Sequence, residues 1–383
     1  MQSNNVVALL LTGDIMLGGE FLDFKERQNV DYEYPFRPIK SLFEEADIIF
    51  GNLECTLSRE GIARRDKTMV LYAPPKSVSA LKYLGFNAVS LGNNHINDYG
   101  PQGLERTMEI LKENNMLFFG AGRNLGEANQ ELIVSKSNVK VAFLGYTTDE
   151  RHVKSVIATS NSAGAVFYDF SRIASDIDRV GNSADIICIS LHWGYESYHY
   201  PSYEQVNLAH QIVDAGAHVV VGHHPHVIQG FERYKHGIIF YSLGNFFFPD
   251  FYHKNGIRRT WPKESNESIV ARCQIKDRKI DEVSIFPCLR RNDYSLAILE
   301  DESRQRVISE VTKLSKDIKS DNYKTFWIDY KRHKQQEDTY KFFQYLRSLG
   351  LKGAARKFSF GNVVYTLLVL ARYIAVKFGW RTL

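Results

Sequence analysis

Short apolar runs alternate with amphipathic stretches over roughly the first 245 residues of the chain. Seven of the runs are too short for typical helices, and a strand buried on both faces is apolar almost throughout. We therefore predict buried strands at 6–11, 47–50, 88–91, 139–144, 186–191, 219–221 and 238–241.

The segments between these runs carry apolar residues at helical spacing and predict helices at 38–46, 75–84, 103–114 and 202–215. The last helix opens with Ser202 and Gln205 in a capping-box arrangement and stops at Gly216. Strands that alternate with helices indicate an α/β layer fold. Farther along, 269–275 and 283–286 flank a charged turn and predict a hairpin that closes the sheet, and an apolar stripe at 300–319 predicts another helix.

Composition excludes some functions. The 48 basic and 44 acidic residues are spread along the chain and leave a formal charge of +4, so we expect no nucleic-acid partner. The four cysteines are far apart, form no CxxC pair and are predicted to be reduced thiols. The first residues lack a basic region and the first apolar run is too short for a signal peptide, which predicts a cytoplasmic location.

The tail, 356–383, places basic residues beside an apolar stretch of roughly ten residues, short of the roughly 20 that a spanning helix needs. Two interpretations stay open. The tail packs against the rest of the protein, or it lies in the membrane interface and holds the chain at the inner face of the membrane. The predicted organisation is a catalytic domain over 6–290 and a helical extension over 291–383 with this amphipathic tail.

Side chains able to bind cations follow five of the predicted strands. The carboxyl ends of parallel strands meet at one edge of a sheet, so we expect these side chains to lie together. Carboxylate, amide and imidazole donors suit hard or borderline divalent cations, and the pattern predicts a metal-dependent enzyme. The candidates are Asp14, Asn52, Glu54, Asn93, Asn94, His95, Asp98, His192, His223, His224 and His226.

These motifs carry a family resemblance. Five motifs, taken in their order along the chain, resemble the calcineurin-like metallophosphoesterase superfamily. They are Gly-Asp at 13–14, Gly-Asn-Leu-Glu at 51–54, Asn-Asn-His at 93–95, His-Trp-Gly at 192–194 and Gly-His-His-Pro-His at 222–226. Its capsule-synthesis branch, the CapA/PgsA type of poly-γ-glutamate synthesis, is the most similar, and the resemblance covers about residues 6–290. It implies an α/β four-layer sandwich, two mixed β-sheets flanked by helices, with two divalent metal ions chosen from Mn, Fe, Zn or Mg.

The resemblance also implies roles. His95 matches the general acid, and Asp98 either orients it or starts the next helix. His223 is interpreted as an outer-shell or substrate-binding residue in preference to a ligand in place of His224, because His224 and His226 keep the His-x-His spacing. The implied metal ligands are Asp14, Glu54, Asn94, His192, His224 and His226, and the implied second-shell or substrate-binding residues are Asn52, Asn93, His223 and Asn245.

The chain departs from the wider superfamily at two motifs. Asp-x-His is Asp14-Ile15-Met16 here, so one imidazole is absent and one metal is expected to be held weakly. The bridging aspartate is also missing, and Glu54 or the amide of Asn52 is offered instead, as in the capsule branch itself. Arg64, with Arg65 and Lys67, lies in a polar loop that either contacts an anionic group or is simply solvated.

Together these assignments predict a metal-dependent phosphoester hydrolase in capsule, poly-γ-glutamate or exopolysaccharide biosynthesis, in which a metal-bound hydroxide attacks and His95 protonates the leaving group. The expected substrate is an anionic polymer or a phosphorylated small molecule. Two alternatives remain. One is a metal-dependent amide hydrolase or transferase acting on a γ-glutamyl polymer, and the other is a non-catalytic accessory subunit of a polymer-synthesis complex at the membrane surface.

Overall fold

The computed structural model describes residues 6–148 and 153–357, without the side chains of 342, 343 and 345–357. Two compact units divide the chain, Met1–Lys319 and Ser320–Leu383. Residues 358–383, which hold most of the predicted amphipathic tail, lie outside the described residues. Within the described part, no helix combines the length and the apolar character needed to cross a bilayer.

The strands follow one another along the first unit, and the short ones mark turns and edges. In chain order they are β1 (Val7–Ile15), β2 (Ile48–Leu53), β3 (Ala88–Ser90), β4 (Leu117–Phe119), β5 (Ala121–Gly122), β6 (Leu132–Lys136), β7 (Val139–Thr147), β8 (Gly164–Ala165), β9 (Ile186–His192), β10 (Val219–His223), β11 (Phe231–Tyr234), β12 (Gly237–Phe240), β13 (Asn245–Phe247), β14 (Phe251–Tyr252), β15 (Arg258–Arg259), β16 (Glu267–Lys276), β17 (Lys279–Arg290) and β18 (Leu296–Ile298).

Helices occupy the connections between the strands and continue past the last of them. In chain order they are α1 (Phe21–Gln28), α2 (Lys40–Glu44), α3 (Val78–Leu84), α4 (Gly100–Glu113), α5 (Leu125–Ala128), α6 (Phe170–Val180), α7 (Tyr203–Asp214), α8 (Asp301–Ile318) and α9 (Tyr323–Lys357). Helix α8 belongs to the first unit and α9 to the second.

Two mixed sheets form the body of the first unit. One has the order β18-β17-β16-β1-β2-β3-β4, with β13 also paired to β1. The other has the order β11-β12-β10-β9-β7-β6. In the first sheet β1 to β4 pair in parallel, and β16, β17 and β18 extend it as antiparallel strands on the other side of β1. In the second sheet β7, β9, β10 and β12 pair in parallel, and the two edge strands β6 and β11 are antiparallel. The α/β prediction of two mixed sheets is therefore confirmed.

The apolar residues of the strands fill two layers of core. Leu9 and Phe50 of the first sheet pack in one cluster with Phe143 and Val221 of the second, so this core lies between the sheets. Leu10, the neighbour of Leu9, belongs to the other cluster with the helical residues of α2 to α4, because successive side chains of a strand point to opposite faces. Burying each such side chain contributes about 1.5–3 kcal/mol.

All seven predicted strands are present, as are the four predicted helices of the sheet region, the β16–β17 hairpin and helix α8. The first two helices begin with a 3-10 turn, and the capping box of Ser202 and Gln205 is formed at α7. Strand β18 and helix α8 belong to the first unit although they follow residue 290. The division at 290 stays a prediction about domain organisation.

Candidate metal centre

The candidate ligands converge where the two sheets meet. The first sheet supplies mostly oxygen donors, from the ends of β1 and β2 and the turn after β3, whereas the second supplies imidazoles from the ends of β9 and β10. Every one of these side chains is at most 5% exposed, so the cluster is buried. The converging residues are Asp14, Asn52, Glu54, Asn93, Asn94, His95, His192, His223, His224 and His226.

Glycines allow this convergence. A Cβ atom on Gly13 would lie 1.9 Å from the carbonyl oxygen of Gly244, and one on Gly222 would lie 1.9 Å from that of Tyr241. Both distances are far shorter than van der Waals contact, and the atoms contacted are backbone atoms, which cannot move aside as a flexible side chain could. Glycine before Asp14 thus lets β1 approach the 244–247 segment, where the Asp14 amide donates to Gly244 O at 3.0 Å.

Glu54 stands at the centre of the cluster. Its Oε1 atom lies 3.7 Å from His192 Nε2 and 3.7 Å from His226 Nε2, and His95 Nε2 is 3.9 Å away. Neither carboxylate oxygen has a hydrogen-bond partner among the described residues. Burial, followed by the charge of Asp14, raises the pKa of Glu54 well above its ordinary value. A buried carboxylate without donors is costly, and a bound cation would satisfy it.

Two groups of donors have the spacing of metal ligands, and both include Glu54. One is Glu54 with His224 and His226, the other Glu54 with Asp14 and His192, and in each group the donor atoms lie within 4.8 Å of one another. Asn94 Oδ1 adds a neutral oxygen 3.0 Å from His192 Nε2. Both groups therefore offer ligands of the kinds that divalent cations bind, and Glu54 belongs to each.

Amide side chains orient the candidate ligands from behind. Asn52 Nδ2 donates to Asp14 Oδ1 at 2.8 Å, and Asn93 Nδ2 donates to Asn52 Oδ1 at 3.0 Å. Asn245 Oδ1 lies 2.9 Å from His226 Nδ1, while its own amide nitrogen donates to Ser265 O. His226 Nδ1 is thus the donor of that pair, which leaves Nε2 toward Glu54, the usual arrangement around a metal-binding imidazole.

The loop after β10 holds its histidines in an uncommon backbone conformation. His224 has φ 95° and His226 has φ 57°, backbone values that residues other than glycine rarely adopt. The His224 amide donates to Asp14 Oδ2 at 3.0 Å, and His223 Nδ1 lies 3.3 Å from Asp14 Oδ1. Burial opposes ionisation of Asp14, but His223, His226 and Asn52 hold its pKa below the ordinary value. His223 thus contacts a candidate ligand and belongs to neither donor group.

Beside the cluster, His95 forms a buried network with Asp98 and Lys67. His95 Nδ1 lies 2.6 Å from Asp98 Oδ2, which also accepts from the Leu71 amide at 2.6 Å. Lys67 Nζ donates to Asp98 Oδ1 at 2.8 Å and to Asn94 O at 2.8 Å. The Asp98 carboxylate makes no cap on α4, so of its two predicted roles the geometry matches the orientation of His95.

Burial shifts the pKa of each group in this network toward its neutral form, and neighbouring groups of opposite charge shift that pKa back. Burial would raise the pKa of Asp98, yet His95 and Lys67 hold it below the ordinary value. Burial lowers the pKa of Lys67 despite Asp98, and it likewise lowers the pKa of His95. With Nδ1 facing the ionised Asp98, the Nε2 atom of His95 is the one that faces the Glu54 cluster.

Two side chains named in the sequence analysis lie elsewhere. The Arg64 guanidinium contacts Asp66 at 2.6 and 3.1 Å and the Lys154 carbonyl at 2.7 Å, and it does not join the cluster. Met16 Sδ accepts from the Gly18 amide at 3.1 Å, so the residue at the place of the absent imidazole has a local partner.

Sequence reasoning gave no role to three residues at the edge of the cluster. The Trp261 ring lies 4.7 Å from the His226 ring, and the Arg259 guanidinium lies 5.0 Å from the centre of the Trp261 ring. Glu196 Oε2 is 3.4 Å from an Arg259 nitrogen. Glu196 follows His192 in the same strand-end segment, which was a usable signal, whereas Arg259 and Trp261 belong to no motif.

The fold and the buried donors define an α/β protein with a candidate centre for divalent cations. The family model described as bacterial capsule synthesis protein PGA_cap matches residues 8–250, more than half of the chain. The chain therefore belongs to this capsule-synthesis family, and the resemblance found in its motifs is confirmed.

Known proteins similar to this chain include two capsule-synthesis proteins of Bacillus species and a solved phosphoesterase. The capsule biosynthesis protein CapA of Bacillus anthracis is 35% identical over 64% of this chain and 61% of its own length, so the match spans less than two thirds of that protein. The PGA biosynthesis protein CapA of Bacillus subtilis is 30% identical over 81% of this chain and 79% of its own. A solved calcineurin-like phosphoesterase of Bacillus subtilis is 14% identical, with a TM-score of 0.44, and the match covers 80% of this chain and 97% of that one.

Proposed function

We propose that this chain is a metal-dependent phosphoester hydrolase that serves the synthesis of a bacterial capsule polymer. Family membership supports the capsule role. One observation carries the chemistry: Glu54 is fully buried, neither of its oxygens has a hydrogen-bond partner among the described residues, and it is shared by two groups of metal-ligand donors. A centre in which two cations share a carboxylate suits displacement at phosphorus.

The proposal assigns the ligands from both sheets. Asp14, Glu54 and His192 would hold one cation and Glu54, His224 and His226 the other, with Asn94 beside His192. Bound divalent cations supply an activated water and neutralise charge on the phosphoryl oxygens. Asn52, Asn93 and Asn245 keep the ligands in register through the hydrogen bonds that they make to one another and to Asp14 and His226.

His95 is the proposed general acid. Its Nδ1 donates to Asp98, so a proton gained by the ring is carried on Nε2, which faces the cluster where the leaving oxygen would lie. Asp98 stabilises the imidazolium and fixes the plane of the ring. Lys67 in turn holds Asp98 and the Asn94 carbonyl, so the general acid and one candidate ligand share a support.

Turnover of chromogenic phosphoesters by the purified protein tests the proposal. With Mn²⁺, Fe²⁺, Zn²⁺ or Mg²⁺ restored after chelation, we expect release of p-nitrophenol from p-nitrophenyl phosphate or its diester. His95→Asn should retain the metals and lose about 10²- to 10⁴-fold in rate. His210→Asn is the matched control, because His210 lies on α7, is bonded to Glu232 of β11 and does not belong to the cluster. Absence of turnover with every metal and ester overturns the proposal.

The same preparation separates the two alternatives named above. Release of free amine from a γ-glutamyl peptide, without phosphate release from any ester, would identify an amide hydrolase. Fewer than two metal ions per chain together with no turnover would instead identify an accessory subunit that keeps a remnant of the site.

A further inference from the structure

A cationic side chain, Arg259, lies beside the candidate metal centre, and the proposed hydrolytic mechanism gives it no role. Arg259 is the second residue of β15, which pairs with β14 in a two-stranded sheet beside the histidine loop. Its guanidinium stacks over Trp261, and Trp261 contacts His226. Two successive contacts, of 5.0 and 4.7 Å, therefore connect Arg259 to a candidate metal ligand.

The hydrogen-bonding capacity of this corner is only partly used. Arg259 Nε and Trp261 Nε1 are both buried and have no acceptor among the described residues. Trp261 is only 9% exposed, so its donor has lost most contact with water as well. Buried N–H groups are normally satisfied, and two adjacent unsatisfied donors are suited to an acceptor that arrives with a ligand.

The internal partner of Arg259 is loosely held. Glu196 Oε2 lies 3.4 Å from one guanidinium nitrogen, longer than the roughly 2.7–2.9 Å of a strong charge-assisted bond. Both side chains are 35% exposed, which places the pair where the site opens to solvent. A guanidinium has five donors in a planar fork, so an incoming oxyanion can bind it beside Glu196 or displace Glu196.

The neighbouring arginine shows a different arrangement. Arg258 has two nitrogens bonded to the Glu20 carboxylate, and a third contact reaches Asp250 at 3.3 Å. Its charge is used within the fold. Successive residues of a strand point to opposite sides, so Arg259 alone of this pair faces Glu196 and Trp261.

We propose that Arg259, stacked on Trp261, is a subsite for a second oxyanion of the substrate, a carboxylate or phosphate group other than the one that reacts. Glu196 occupies the guanidinium when no substrate is present. The substrate class is therefore a phosphoester that carries a further anionic group. This inference rests on the proposed function for its kinetic test and on direct binding for an independent one.

A matched pair of substrates provides the kinetic test: phenyl phosphate and 4-carboxyphenyl phosphate, which differ by one carboxylate. Arg259→Met should raise KM for the carboxylated ester by roughly 10- to 100-fold, the value of a hydrogen-bonded charge, and leave kcat and the other ester almost unchanged. Arg259→Lys should restore part of the difference, because it keeps the charge and loses the fork. Arg258→Met is the control and should not discriminate between the esters.

Glu196→Gln should change KM for the carboxylated ester in the opposite direction. Removing the internal carboxylate frees the guanidinium, so KM for 4-carboxyphenyl phosphate should fall several-fold below that of the unmodified protein. A merely structural Arg259–Glu196 pair predicts instead that both variants lower the thermal midpoint and affect the two esters alike. That outcome overturns the inference while leaving the proposed function intact.

Calorimetric titration tests the subsite by binding alone, so it also applies if the protein has no turnover. The two ligands are 4-carboxyphenyl phosphonate, a non-hydrolysable analogue, and phenyl phosphonate. The carboxylated analogue should bind at least several-fold more tightly, and Arg259→Met should abolish the difference. Equal affinities in the unmodified protein would overturn the subsite whatever the result for hydrolysis.

Discussion

Glu54 and Asp98 are two fully buried carboxylates on either side of the same imidazole, and their pKa values move in opposite directions. Glu54 Oε1 lies 3.9 Å from His95 Nε2, and Asp98 Oδ2 lies 2.6 Å from His95 Nδ1. The pKa of Glu54 is raised well above its ordinary value, mainly by burial, whereas that of Asp98 is held below its own. Equal burial therefore does not decide the charge of a carboxylate in this site.

The difference is in their partners. Asp98 accepts from Lys67, from His95 and from the Leu71 amide, so the chain itself provides its counter-charge. Glu54 has no donor among the described residues. A carboxylate with an internal cation is part of the scaffold, while one without is arranged for a cation that comes from outside. The comparison separates the support of the site from its metal-binding part.

The largest expected effect is that of Glu54→Gln on metal content. The amide keeps the shape but removes the charge shared by both donor groups, so bound metal per chain should fall and turnover should drop on the order of 10³-fold or more, because metals contribute several kcal/mol to such reactions. Metal analysis and phosphoester kinetics measure the two effects. Glu232→Gln, a buried glutamate bonded to His210 and Tyr241, should keep full metal content.

Unchanged metal content in Glu54→Gln would contradict the comparison, since Glu54 would then be a buried carboxylate with no cation to bind.

Asp98→Asn should instead act on stability. Lys67 is 6% exposed and would lose its only carboxylate partner among the described residues, which typically costs about 3 kcal/mol or more for a buried pair. Urea denaturation of the chelator-treated protein measures this loss. The exposed Asp281→Asn should change the free energy of unfolding by less than about 0.5 kcal/mol. Metal content of Asp98→Asn should stay near that of the unmodified protein, and a loss of metal without a loss of stability would reverse the assignment.

The two carboxylates also differ in how far the sequence predicted them. Glu54 follows a buried strand directly, and the sheet edge brings strand-end residues together, so its neighbourhood followed from the pattern of strands. The contact of Asp98 with Lys67 depends on how a long irregular loop returns to the sheet, and no periodicity encodes that path. For the same reason the sequence predicts Lys67 only as part of a polar loop, and it places Arg259 in no motif.

Three of the strands that the sequence pattern missed share a physical cause. Strands β6 and β11 lie at the two edges of the second sheet and are largely half-buried or exposed, so neither contains a continuous apolar run. Strand β4, at the edge of the first sheet, is three residues long and similarly open. The central strands are apolar throughout because both of their faces are covered, which is why they were predicted correctly.

The smallest expected effect, and the sharpest test of the comparison, is the pH dependence of stability in the metal-free protein. The folded pKa of Glu54 lies above its unfolded value near 4.5, so its ionisation opposes folding once the pH exceeds that value. Relative to the unmodified protein, Glu54→Gln should therefore gain stability as the pH rises from roughly 4.5 toward neutrality. Asp98 has a folded pKa below its unfolded value near 3.8. Its contribution to stability is present above that pH and is lost as the pH falls through the folded pKa, so the stability deficit of Asp98→Asn should shrink in acid.

Urea unfolding of the chelator-treated proteins across this pH range would show the two stability differences changing with opposite signs. Differences of the same sign would mean that both carboxylates have internal counter-charges, and that Glu54 is not reserved for a metal.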